Sequence, residues 1–239
     1  MAIQVGNGIN VGGGINFGWS APAPIVSGSL IFNSSNYLTV PNNAAFSQNS
    51  GAWTVECFVY PTDSQQGYLY MQDTSGFLGL VYGNDKFMVD QSQIGFQINS
   101  PTTFLINNWY HVAMVYDGVG TLDLYVNGSN QGTWSSSGLA ASARTTQIGC
   151  YVSGTSGFKG NISNLRVVKG VAVYTGTFTV PAAPLATTQT SGTNISAITG
   201  TQTKLLLKTV APNYFADSSA SSFTVTNVNT VTTTATNPF

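Results

Sequence analysis

The stretch that most constrains the fold is Trp109–Asn130, WYHVAMVYDGVGTLDLYVNGSN. Side chains in a strand alternate between faces, so His111, Ala113 and Val115 share one face while Tyr110, Val112, Met114 and Tyr116 share the other. Neither face is polar. Such a strand belongs in a sheet covered on both sides, or it forms the wall of a groove. Asp117-Gly118 and Asn127-Gly128 supply residues that tolerate φ > 0, as short hairpin turns require. The stretch therefore predicts two strands joined by a tight turn at Asp117-Gly118, with a second turn following.

Composition narrows the class further. Charged residues make up 6% of the 239-residue chain, helix-forming charge patterns are missing, and glutamate occurs once, as Glu56. Aromatic content of 12% exceeds what disordered chains carry. Seven Lys and Arg residues scattered along the chain do not neutralise a run of phosphates, so nucleic acid is excluded as the main ligand. No run reaches the length of a membrane helix, so membrane insertion is not expected. The opening MAIQVGNGINVGGG lacks the basic and apolar regions of a secretory signal.

Residues 1–26 contain a six-residue repeat, Ile3-Gln4-Val5-Gly6, Ile9-Asn10-Val11-Gly12 and Ile15-Asn16-Phe17-Gly18, followed by the stiff Ala21-Pro22-Ala23-Pro24 spacer. Ile3, Val5, Ile9, Val11, Ile15 and Phe17 are the candidate assembly residues of this arm, ordered against neighbouring chains as added strands or a small stalk. Residues 27–180 carry evenly spaced short strands separated by turn residues, the pattern of a two-sheet antiparallel sandwich. In Trp53–Tyr60, Trp53, Val55, Cys57 and Val59 face the core, and Thr54, Glu56, Phe58 and Tyr60 face away. Residues 181–203 lack periodicity and read as a linker or surface loop. Residues 204–239 contain the strand-like runs Leu205–Leu207, Asp217–Ser219 and Phe223–Thr226. They have too little apolar content for a core of their own, so they complete or cap the sandwich.

Bond-cleaving chemistry finds little support. Glycoside hydrolysis needs two cooperating carboxyl groups, yet no second carboxylate follows Glu56 on its face, and Asp123 is a cross-strand neighbour only if the register allows it. Glu56 reads as a hydrogen-bonded edge or groove residue. His111, the single histidine, reads as a structural residue rather than a triad member. Cys57 and Cys150 read as small buried hydrophobes, with one disulfide as the alternative. No cofactor is implied. Loop carbonyls with one or two of Asp63, Asp73 and Asp85 are the candidate ligands for a calcium ion. Sugar recognition needs aromatic faces beside amides and hydroxyls. Tyr68, Tyr70, Phe77, Tyr82, Trp134 and Tyr151 lie near turns, alongside Asn84, Gln91 and Gln93, and are the candidate glycan-binding residues.

Four segments carry a resemblance: Ser29–Phe46 (SLIFNSSNYLTVPNNAAF), Trp53–Pro61 (WTVECFVYP), Trp109–Ser129 and Phe158–Pro181 (FKGNISNLRVVKGVAVYTGTFTVP). In this order they resemble the hallmark segments of laminin-G-like, concanavalin A-type jelly rolls. The last segment, with Leu205–Val228, is similar to the version found in structural proteins of tailed bacteriophages. The resemblance implies an all-β, two-sheet antiparallel jelly roll without catalytic residues, since the Glu-x-Asp-x-x-Glu strand of the enzymatic cousins has no match. It further implies a virion protein on the particle surface, at the head or on a tail appendage, whose partners are other virion proteins, copies of itself and cell-surface glycans. A receptor-binding lectin at the tail tip is the alternative. Rim calcium occurs in the family, but Asn36 stands before Tyr37 where an acidic residue is common.

Overall fold

The computed structural model describes residues 10–11, 15–16, 27–49, 51–72, 78–91, 94–135, 139 and 144–239. Two short strands, β1 (Asn10–Val11) and β2 (Ile15–Asn16), come first. Then follow β3 (Ser29–Asn33), β4 (Tyr37–Val40), β5 (Trp53–Pro61), β6 (Gly67–Gln72), β7 (Leu78–Gly83), β8 (Lys86–Gln91) and β9 (Gly95–Asn99). The hairpin region gives β10 (Tyr110–Tyr116), β11 (Thr121–Val126) and β12 (Ser129–Ser135), followed by β13 (Thr146–Ile148) and β14 (Lys159–Lys169). Last come β15 (Thr203–Leu207), β16 (Thr226–Val228) and β17 (Thr232–Thr234). No α-helix occurs among the described residues.

Strands β3–β17 form two sheets with antiparallel pairing throughout. The first runs β12-β11-β10-β5-β14-β3-β17, with β15 beside the C-terminal half of β14; the second runs β16-β4-β13-β6-β7-β8-β9. Trp53, Val55, Cys57 and Val59 of β5 and Val112 and Met114 of β10 meet Leu38, Val40, Leu80 and Val89 of the opposite sheet. Each such fully buried large side chain contributes roughly 1.5–3 kcal/mol relative to exposure. Strands after residue 200 enter both sheets: β15 and β17 join the first, β16 the second.

The outer face of the first sheet is also covered, because its strands are apolar on both sides. Residues 171–198 cross it: Val173, Tyr174, Phe178 and Ile198 pack on Ala113, Val115, Tyr125 and Val168, while Leu185 packs on Phe58 and Leu206. The sequence predicts a surface loop for 181–203. The chain there forms only isolated bridges before β15, yet Leu185 and Ile198 are buried. A cover anchored by a few apolar side chains has no period to detect.

A bulge in β14 sets the two faces. Pairing with β5 shifts register between Ser163 and Arg166, with Asn164 at φ 52. Ile162, Leu165 and Val167 consequently all reach the inter-sheet core, and Arg166 faces the cover. Unbroken alternation would send Arg166 inward, since one residue of slip reverses every side chain.

Several predicted elements differ. The Asp117-Gly118 turn is a four-residue loop, 117–120, because Asp117 Oδ1 accepts the backbone N–H groups of Val119, Gly120 and Thr121. The hairpin region holds a third strand, β12, whose polar SNQGTWS sequence hides it. Asp217 is not in a strand; it caps a turn, accepting from Leu206 N, Ser219 N and Phe223 N. The last strands lie at 226–228 and 232–234 rather than at 223–226. In the arm, the second and third repeats pair antiparallel, Asn10 with Asn16 and Val11 with Ile15. Ile3, Val5, Ile9 and Phe17 lie outside the described residues.

Asn127-Gly128 forms the predicted two-residue turn, with φ 47 and 78. It also holds the cover, since Phe178 N donates to Gly128 O at 3.0 Å. A Cβ on Gly128 would stand 2.1 Å from Phe178 O. Gly128→Ala should therefore lower the unfolding free energy by more than about 1 kcal/mol, read as a urea midpoint. It should also speed proteolysis within residues 175–190; unchanged proteolysis would show that the turn does not hold the cover.

Candidate functional site

Among the described residues, charge concentrates beneath the cover. Glu56 sits mid-way along β5, opposite Ala113 of β10 and Arg166 of β14, and is fully buried. Its Oε1 accepts from Arg166 Nε at 2.8 Å and Nη2 at 2.6 Å. Its Oε2 accepts from the Tyr174 hydroxyl at 2.6 Å and from His111 Nε2 at 3.0 Å. An ionised carboxylate only accepts, so the His111 proton is on Nε2. The other ring nitrogen, Nδ1, has no partner among the described residues. The ring meets Phe58, Tyr174 and Phe178 edge-on. Arg166 completes its donors on the cover, to Ala186 O at 2.7 Å and Gln189 Oε1 at 2.9 Å.

Burial by itself pushes the Glu56 carboxyl up, but the Arg166 charge, His111 and the Tyr174 hydroxyl outweigh it and hold it at about 2. Burial and the same carboxylate push the Tyr174 phenol well up. Four donors saturate the carboxylate, leaving no lone pair for a substrate. The expected edge or groove position of Glu56 is thus corrected: a strand central to the first sheet, beneath a second apolar layer, has no accessible face there.

The other described carboxylates are each engaged locally. Asp63 pairs with Lys159 at 3.3 Å and accepts Gln65 N. Asp85 accepts from Tyr82, and Asp90 from the Tyr68 hydroxyl at 2.7 Å. Asp123 accepts from Asn130 and Thr133 and stands opposite Val115, so it is no neighbour of Glu56. Among the described residues no three His, Cys, Asp or Glu side chains converge. Asp63 and Asp85, bonded as they are, do not form a calcium cradle, and Asp73 lies outside the described residues. Cys57 and Cys150 are both buried and form no disulfide: Cys57 lies in β5 of the first sheet, and Cys150 follows β13 of the second, its thiol donating to Gln147 Oε1 at 3.0 Å.

The candidate glycan residues scatter. Tyr70 and Tyr82, at 1% and 0% exposure, belong to the inter-sheet core and offer no ring to a sugar. A register shift between Tyr68 and Tyr70 separates them, sending Tyr68 to the outer face of the second sheet. There it reaches over Gly79 to Asp90, and half-buried Tyr151 tilts against it at 4.8 Å. Tyr68 is itself buried. Trp134 lies on edge strand β12, half-buried against the core. Phe77 and Gln93 fall outside the described residues. Proximity to predicted turns misses the accessible aromatic pair, Tyr60 and Trp109, whose ring centroids are 5.4 Å apart on the outer face of the first sheet. The alternation of β5, with Tyr60 facing away from the core, is the signal that finds it.

Glu56→Gln should cost about 3–5 kcal/mol, because it strands the buried Arg166 charge. The carboxyl is held below its ordinary 4.5, so its stabilisation is present above that pH and is lost as pH falls towards 2. The wild-type loss is on the order of 3 kcal/mol. Urea midpoints at pH 7, 4 and 2.5 test this: the steep acid limb should flatten in the variant, and parallel limbs would refute the assignment.

The architecture has counterparts. The chain is similar in structure to a proposed carbohydrate-binding protein from Bacteroides ovatus, with TM-score 0.57 and 18% identity, covering 88% of this chain and 60% of that one. A heptameric SAP-like pentraxin from Limulus polyphemus matches with TM-score 0.47 and 21% identity, over 61% of this chain and 77% of that one. Domain 4 of an extracellular arabinanase from Geobacillus stearothermophilus, solved with arabinotriose, gives 0.48 and 17%, over 59% and 70%. At these identities the likeness is one of fold. No curated protein matches in sequence. A family model does match, over residues 32–173, and with more than half its length covered the chain belongs to the concanavalin A-like lectin/glucanases superfamily.

Proposed function

We propose that this chain is a non-catalytic, carbohydrate-binding jelly roll displayed on the surface of a phage particle. The observation that carries the non-catalytic reading is the commitment of every described carboxylate to a structural hydrogen bond, with Glu56 buried and saturated. Acid–base cleavage needs two free carboxyl groups across a sugar bond, and no described pair is so placed. Binding needs only accessible rings with amides and hydroxyls beside them, which the Tyr60–Trp109 pair supplies. The Bacteroides ovatus protein on the same fold supports the sugar reading. The virion location rests on the likeness of residues 158–181 to phage structural proteins. The repeat in residues 1–26 supplies the attachment, where many weak copies in a lattice add up.

Purified full-length protein should retain glycans on an array and release no oligosaccharide from the polysaccharides it binds. A blank array ends the binding reading, and reproducible release of product ends the non-catalytic one. Antibodies to the jelly roll should label the head or an appendage in electron micrographs of particles, and deleting residues 1–26 should abolish that label while the jelly roll stays folded. Unlabelled wild-type particles would refute the location.

A further inference from the structure

The cover over the first sheet leaves one row of side chains partly open. Register places Tyr60 of β5 opposite Asn161 of β14, Asn161 opposite Ile31 of β3, and Ile31 opposite Thr232 of β17. Trp109, beside β10, extends the row through its contact with Tyr60. All five side chains are half-buried or exposed. The next positions inward are sealed: Phe58 by Leu185 and the ring of Phe239, Glu56 by Tyr174, and Thr54 by the backbone of Val171 and Val173.

We propose that this row, Trp109-Tyr60-Asn161-Ile31-Thr232, binds a neutral polysaccharide laid across the strands. This rests on the carbohydrate-binding reading above and names its site and ligand class. Strands lie about 4.8 Å apart, so five positions span roughly 19 Å, an elongated track suited to several linked sugar rings. Aromatic faces at one end accept the C–H face of a ring, and an amide, an aliphatic side chain and a hydroxyl follow. Asn161 Nδ2 is fixed on Ser29 Oγ at 3.0 Å, leaving its Oδ1 without a partner among the described residues. The track carries no charge. The nearest ionic groups on these strands, Lys159 and Asp63, neutralise each other, so nothing on the row attracts a sulfated or uronic acid chain. Leu185, packed in the cluster that includes Trp109, also lines a groove of about 580 Å³ formed by residues 181–186 and 188–190.

The test is affinity of the full chain for a neutral polysaccharide that it retains on the array. Trp109→Ala and Tyr60→Ser should each weaken binding about 10-fold, and Asn161→Ala several-fold, with near-UV circular dichroism unchanged. Trp109→Phe keeps a ring, so it should bind within a few-fold of wild type while losing the tryptophan fluorescence change on titration. Tyr151→Ala, on the other sheet, should bind normally. If wild type binds and the row variants bind equally well, or if only acidic glycans are retained, the row is not the site and the carbohydrate reading survives. A protein partner captured through the row in place of glycan also overturns the proposal. If wild type binds no glycan, both fall.

Discussion

One carboxylate holds three layers together. Glu56 lies on β5, between β10 and β14, and its two oxygens are divided between β14, β10 and the cover. Desolvating a carboxylate is costly unless its lone pairs are filled, and here Arg166, His111 and Tyr174 fill them together. The guanidinium in turn reaches two acceptors on the cover. Neither charge is satisfied without residues 171–198 in place, so the outer layer is a condition of the first sheet's stability.

This explains why a chain of a two-sheet family builds a third layer. The family match ends at residue 173, and the cover begins at its edge with Val173 and Tyr174. Tyr174 stacks face to face on Phe178 at 3.6 Å, so the hydroxyl reaching Glu56 belongs to a rigid aromatic pair. The bulge at Asn164 is the matching device in the sheet, because it turns Arg166 outward without losing Leu165 or Val167 from the core.

The two-sheet architecture was legible in the sequence because strand faces follow a period of two and Asn-Gly has few uses other than a tight turn. The twofold apolar character of Trp109–Tyr116 even announced a second covered face, though not what covered it. What escaped was whatever broke the period: the bulge between Tyr68 and Tyr70 that splits two candidate binding residues, the polar edge strand β12, and the cover itself. Glu56 was misplaced for the same reason, since a lone glutamate in a strand looks accessible until the layer above it is known. The Tyr60–Trp109 pair follows from the alternation of β5, a signal that nearness to turns does not carry.

The scarcity of charge links these features. With 6% charged residues and a formal net charge of −1, the surface exerts little long-range field, so encounter with a ligand is not steered. Selectivity on such a surface comes from ring stacking and hydroxyl geometry at contact, terms that salt hardly screens. The few charges present are instead spent on architecture: Glu56 and Arg166 inside, Lys159 with Asp63 across a strand end, Asp117 and Asp217 capping turns. A fold that places its ions this way keeps their charge off the Trp109–Thr232 row, and the proposed preference of that row for an uncharged ligand follows from this placement.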